Sequence, residues 1–170
     1  MGTYIRYANR CDSEILGEIH SQSLGFAYTG IFRDDYIESR FSYKRRKEGF
    51  VRELTLGYPE TAIIYKDEIP VGLFTIGKSR YGNVDDSCIE IWRIYLKPNY
   101  IGKGYGTELM NWGIDELRKK GYEKAILWVL EDNHRARLFY ERHGFSFDGN
   151  EQSIDSGIRE LRYSREIEFL

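Results

Sequence analysis

The chain has 170 residues, 41% hydrophobic and 31% charged, with 25 basic against 27 acidic residues and a formal net charge of −2. That length suits one domain spanning residues 1–170, stable without disulfides or metal, and the near-neutral balance supplies no global field for nucleic acid. Cys11 and Cys88 lie far apart with no metal or redox spacing, no apolar run is long enough to cross a bilayer, and the N-terminus lacks the apolar core of a signal peptide. We therefore expect a cytoplasmic protein with two reduced, packing cysteines and no membrane partner.

Residues 4–7 alternate as a short strand, and Asp12 stands as an N-cap ahead of Ile15, Leu16 and Ile19 at helical spacing. From residue 34 to about 56, Tyr36, Ile37, Phe41, Phe50, Val51 and Leu54 recur on a helical period, which predicts one or two further helices. Residues 61–65 and 71–76 are β-branched and aromatic runs joined by Lys66, Asp67 and Glu68, the pattern of a hairpin. A polar loop over 81–87 leads to an extended run over 88–96 that Pro98 ends. A helix to Lys120 follows, with Leu109, Gly113 and Leu117 at four-residue steps, Met110 and Ile114 broadening the stripe, and Gly121 as the stop. Residues 125–130 read as a strand buried on both faces, 133–143 as a helix closed by Gly144, and 145–148 and 158–167 as the last strands. The order gives a mixed α/β fold, a mostly antiparallel twisted sheet of six to seven strands flanked by helices. An order of this kind is compatible with many functions.

The chemistry concentrates where strand meets helix. Gly102, Gly104 and Gly106 alternate there with Lys103 and Tyr105, ahead of Thr107. Glycines let a backbone approach a ligand closely, and the free N–H groups of a helix's first turn favour an anion such as a pyrophosphate. A dinucleotide fingerprint fails because its third glycine position holds Thr107, which weakens a nucleotide-dependent oxidoreductase, and the spacing of a nucleoside-triphosphate loop is absent too. A glycine-rich turn with no ligand is the remaining alternative on this segment alone.

The run from Glu90 through Ile94, Tyr95, Leu96 and Pro98 to Gly106, followed by the run from Asn133 through Phe139 and Tyr140 to Phe145, resembles the GNAT N-acetyltransferase superfamily. The resemblance extends along the chain in the expected element order, and residues 19–31 resemble a branch whose first two helices cover the acceptor site. One departure stands out: Ile101 occupies a place where the family usually has Arg or Gln.

The resemblance implies an acetyl-CoA-dependent transferase that moves the acetyl group directly to a primary amine of a small molecule, polyamine, peptide or protein. A non-catalytic acyl-CoA-binding sensor or scaffold of the same fold is the alternative. It implies acetyl-CoA as cosubstrate, no metal, no nucleic-acid partner and a possible homodimer. The coenzyme arm would run along the backbone of Ile94, Tyr95 and Leu96, and its phosphates would meet Gly102, Lys103, Gly104, Tyr105, Gly106 and Thr107. Asn133 reads equally as a helix N-cap and as a contact to the arm. Tyr140 reads by pattern as an aromatic on an apolar face, and by resemblance as the phenol that donates a proton to the departing thiolate. Glu90 is either a solvated strand residue or the general base for an arriving ammonium. Tyr28, Tyr81, Asp85 and Asp86 are candidate acceptor-site residues. His20, His134 and His143 show no metal spacing, and no nucleophilic triad stands out.

Overall fold

A computed structural model describes residues 2–170. Strand β1 (Thr3–Tyr7) leads through a single tight turn of helix into α1 (Ser13–Tyr28), then α2 (Asp34–Arg40) and α3 (Tyr43–Leu56). The hairpin β2 (Glu60–Lys66) and β3 (Ile69–Gly77) follows, then β4 (Cys88–Leu96), α4 (Tyr105–Lys119), β5 (Lys124–Leu130), α5 (His134–Arg142), β6 (Ser146–Ser153) and β7 (Arg159–Glu166). The seven strands form one sheet in the order β1-β2-β3-β4-β5-β7-β6, antiparallel except where β4 meets β5.

Two apolar layers cover the two faces. On one, α4 presents Leu109, Met110, Ile114 and Leu117, all buried, to Phe74, Ile89, Ile91, Leu127 and Val129. The expected glycine at the middle of that stripe has a steric cause. A Cβ on Gly113 would stand 2.4 Å from the Phe74 ring, so only glycine lets helix and sheet approach this closely. On the other face, Leu16 and Ile19 of α1 and Phe50 of α3 cover Ile63, Tyr65 and Leu73. Both guanidinium nitrogens of Arg93 on β4 bind Glu53 of α3, at 2.8 and 2.6 Å, which pins that helix over the strand.

The region from residue 34 to 56 resolves into two helices, broken between Arg40 and Tyr43 where the Ser42 hydroxyl caps α3 through the Arg45 amide. Asp12 holds the N-cap position of α1 as expected, but its side chain makes no capping bond. Its carboxylate is taken by both terminal nitrogens of Arg6 at 2.8 and 2.9 Å and by the Asn9 amide at 2.7 Å, and a charged donor outcompetes a neutral helix amide. Cys11 is exposed, so only Cys88 is a packing residue. The strand expected to end at residue 148 continues to Ser153, because a register shift between Phe147 and Glu151, with Gly149 at φ +92°, lets β6 resume pairing with β7.

The feature that places the site is the failure of β4 and β5 to stay together. They pair in parallel only over Cys88, Ile89 and Glu90 against Lys124, Ala125 and Ile126. Beyond that point β4 carries a bulge: Thr75 pairs with Arg93 and Ile76 with Ile91, leaving Trp92 as the extra residue. A bulge sharpens the local twist, and here the two strands diverge into a wedge.

Candidate active site in the wedge between two strands

The open edges of the wedge carry unpaired backbone. The Lys97 amide bonds the Val71 carbonyl at 2.8 Å, so in the alternating antiparallel pattern Arg93 and Tyr95 turn their backbone groups to β3, while Ile94 and Leu96 turn theirs outward. Opposite them, the Glu131 amide bonds the Arg159 carbonyl at 2.9 Å, which by the same alternation turns the backbone of Trp128 and Leu130 toward the wedge. Two of these groups are already used: the Leu96 carbonyl lies 2.8 Å from the Ser23 hydroxyl, and the Leu130 carbonyl accepts from the Asn133 amide at 3.0 Å. The rest form a slot suited to an extended chain bearing amides.

The slot widens into a cleft of about 330 Å³. Ile94, Tyr95 and Leu96 form one wall, Trp128, Val129, Leu130 and Glu160 the other, and Ser23, Phe26 and Tyr28 of α1 close one side. Across the cleft stand Gly106 of α4 and Asn133, Ala136, Phe139 and Tyr140 of the α5 region. Of the expected Ile94–Leu96 backbone contacts, the amide and carbonyl of Ile94 and the amide of Leu96 are available, whereas the Leu96 carbonyl is taken by Ser23 and Tyr95 brings its side chain.

The glycine stretch sits at the end of this cleft. Gly102 and Gly104 hold φ values of +75° and +92°, and a Cβ on either would meet no atom within 4 Å, so the glycines are required by backbone conformation and face open space. No side chain caps α4. Its first turn closes with the Glu108 amide on the Gly104 carbonyl at 3.0 Å, leaving the amides of Tyr105, Gly106 and Thr107 without a helical acceptor. Lys103 is exposed, its ammonium 5.8 Å from the Tyr100 ring centre. Ile101 lines the cleft and supplies no donor. This corner offers an anion the free backbone amides of Tyr105, Gly106 and Thr107 and the exposed ammonium of Lys103.

Three tyrosines meet in the cleft. The Tyr28 and Tyr95 hydroxyls interact, and burial raises both above the ordinary phenol range, Tyr28 well above it. Tyr140 is raised by burial and then by neighbouring Tyr95. Its hydroxyl has no hydrogen-bond partner among the described residues, so it is a protonated donor at neutral pH with its proton uncommitted. Asn133 fills the capping role: its side-chain oxygen accepts from the Ala136 amide at 3.3 Å while the residue lines the cleft.

Glu90 is neither a solvated strand residue nor part of the cleft lining. It is completely buried at the vertex of the wedge, accepting from the Arg80 amide at 2.7 Å and from the Arg80 side chain at 2.8 Å. Arg80 in turn lies over the rings of Tyr81 and Trp92. Tyr81 packs edge-on to Trp128, and Asp85 and Asp86 are exposed on the loop before β4, where Asp85 accepts from the Ser87 amide. Among the four candidate acceptor-site residues, Tyr28 alone lines the cleft. Sequence reasoning passed over Trp128 and Glu160, which lie in no motif; Ser23, Phe26 and Phe139 fall within the runs that carry the resemblance but were given no site role, and all five meet only in the folded chain. The Trp128 indole N–H is buried without a partner among the described residues.

A sheet opened between two parallel strands, with free edges facing an uncapped helix start, defines an acyl-CoA N-acyltransferase, and the chain belongs to the acetyltransferase (GNAT) family, whose model matches residues 26–145. Over 157 residues it is 27% identical to the spermidine N(1)-acetyltransferase of Thermoplasma acidophilum, covering 90% of this chain and 94% of that protein. Among solved structures it resembles the PaiA N-acetyltransferase of the same organism in complex with coenzyme A, at 25% identity with a TM-score of 0.79, covering 98% of this chain and 99% of that one. It also shares its fold with a putative acetyltransferase of Salmonella typhimurium with acetyl-CoA, at 18% identity with a TM-score of 0.73, covering 99% and 95% of the two chains. The protein is an acetyl-CoA-dependent N-acetyltransferase.

Proposed function

We propose that the protein moves the acetyl group of acetyl-CoA directly onto a primary amine of a small aliphatic molecule. The observation that carries this reading is the convergence of unpaired β4 and β5 edges, the free amides of α4 and the uncommitted Tyr140 hydroxyl on one cleft. The outward amide and carbonyl of Ile94 and the amide of Leu96 hold the amide-bearing arm of the cosubstrate as an added strand. The amides of Tyr105, Gly106 and Thr107, with the turn over Gly102, Lys103 and Gly104, receive its pyrophosphate. An outward amide of β4 polarises the thioester carbonyl as the amine attacks. The amine attacks as its neutral form. As the C–N bond forms and the C–S bond breaks, the electron pair leaves with sulfur, and Tyr140 supplies its proton there. The proton released from the new amide nitrogen passes to water in the open cleft, from which the Tyr140 phenol is restored.

Direct transfer is favoured by what lines the cleft. Among its described residues there is no cysteine or histidine, and the hydroxyl of Ser23 is engaged with the carbonyls of Ile19 and Leu96. Glu90, with both carboxylate oxygens held by Arg80, is assigned to positioning: it fixes the vertex from which β4 and β5 diverge. The similarity to a spermidine N(1)-acetyltransferase supports an aliphatic amine acceptor. An acetylation assay over a panel of amines, with mass detection of products and of released CoA, tests the reading. Tight acetyl-CoA binding without CoA release on any amine would instead indicate a non-catalytic acyl-CoA sensor.

A further inference from the structure

The cleft contains one half-buried carboxylate that the transfer chemistry leaves unused. Glu160 is the single acidic side chain among the described residues lining the cleft, and it makes no ion pair. Its one partner is neutral, the Gln152 amide nitrogen at 2.9 Å from Oε2. Its neighbours Arg159 and Arg162 on β7 are paired elsewhere, with Glu131 and Glu151 and with Asp148. Arg135, the one cationic residue of the lining, lies over the Phe26 ring. A partly desolvated carboxylate normally has a charged partner, and here the side of the carboxylate left open is the cleft.

Position separates Glu160 from the reacting centre. Glu160 pairs with Leu130, the last residue of β5, whereas the wedge begins at Ile126. Four residues of strand place it about 13 Å along β5 from the vertex, toward the mouth. Paired residues project to one face, so Glu160 stands beside Leu130 and one step from Trp128, on the wall facing Tyr28 and Tyr95. Its negative charge reaches both of those hydroxyls, while the influences on Tyr140 are burial and then Tyr95. Glu160 thus shares its part of the cleft with Tyr28 and Tyr95, while Tyr140 stands across the cleft on α5.

We propose that Glu160 is a specificity-determining residue that receives a second ammonium group of the acceptor, so that the site selects aliphatic diamines and polyamines over monoamines and amino acids. The inference rests on the N-acetyltransferase reading of the same cleft. The attacking nitrogen lies at Tyr140, the alkyl spacer lies along the rings of Tyr95, Tyr28 and Trp128, and the distal cation meets Glu160. A carboxylate-bearing acceptor would place like charge against Glu160 and is rejected.

The test compares putrescine with butylamine, which differ by one terminal ammonium, on wild-type protein and Glu160→Gln, with acetyl-CoA KM measured in each as a check on folding. Wild type should prefer putrescine. Glu160→Gln should lower the putrescine-to-butylamine ratio of kcat/KM by about tenfold or more, chiefly through the KM for putrescine, and Glu160→Asp should restore part of it. Equal use of the two amines by wild type, or an equal loss on both in Glu160→Gln, overturns the assignment while leaving the enzyme reading intact. Acetyl transfer to no amine by wild type overturns both.

Discussion

Glu90 and Arg80 form a closed pair at the vertex of the wedge: the Arg80 amide reaches Oε2 at 2.7 Å and the Arg80 Nε reaches Oε1 at 2.8 Å, around a carboxylate with no exposed surface. A base must offer a lone pair to the proton it removes, and this carboxylate offers its oxygens to Arg80. Glu90→Gln should therefore keep the shape of the pH profile of kcat/KM while lowering stability by about 2 kcal/mol, the scale of lost hydrogen bonds to a charged group. Loss of the acidic limb in that variant would restore Glu90 to the role of base.

Tyr140→Phe removes one oxygen from the cleft and leaves the ring packing against Phe139 and Phe145 in place. General acid catalysis contributes at least about a hundredfold, so kcat should fall on that scale while the dissociation constant for acetyl-CoA moves little. Pre-steady-state kinetics establishes that chemistry limits the rate. An unchanged chemical step would remove Tyr140 from the acid role.

The glycine loop should depend on backbone more than on Lys103. Gly104→Val forces a β-branched residue to φ +92°, a strain of about 1–3 kcal/mol. It should weaken acetyl-CoA binding by calorimetry several-fold more than Lys103→Ala, whose ammonium is exposed. The opposite order would assign the anion site to the side chain.

Stability should depend on pH through His20. It is buried between the rings of Phe50 and Tyr95, and desolvation, then the charges of Arg93 and Arg46, hold its imidazole well below its ordinary pKa of 6.5. Below pH 6.5 the unfolded chain takes up a proton that the folded chain refuses, so stability falls as pH drops through that window. The slope from this group is at most about 1.4 kcal/mol per pH unit. Urea unfolding at pH 7 and pH 5 should show the loss, and His20→Leu should flatten it. Equal pH sensitivity in that variant would place the effect elsewhere.

The elements were legible because each rests on a local pattern. Leu109, Met110, Ile114 and Leu117 fall on a helical stripe, and β4 spans the predicted residues from Cys88 to Leu96. The paired motifs around Gly102–Gly106 and Tyr140 identified the family before any coordinate was known. The misreadings share one cause. Asp12 looked like a side-chain cap and Glu90 like either a solvated carboxylate or a general base because the sequence shows neighbours in the chain, whereas their partners Arg6 and Arg80 are set against them only by the fold.

The amino-acid sequence by itself determined which residues form each strand and helix, since periodicity and glycine placement act over a few residues. It also determined that an uncapped glycine turn opens α4. Only the tertiary structure decided where the sheet parts, because the bulge at Trp92 exists only in register with β3. It likewise decided that Tyr28, Tyr95 and Glu160, from three distant segments, meet in one cleft with Trp128. Burial and opposed charge are properties of that meeting, and no single segment carries them.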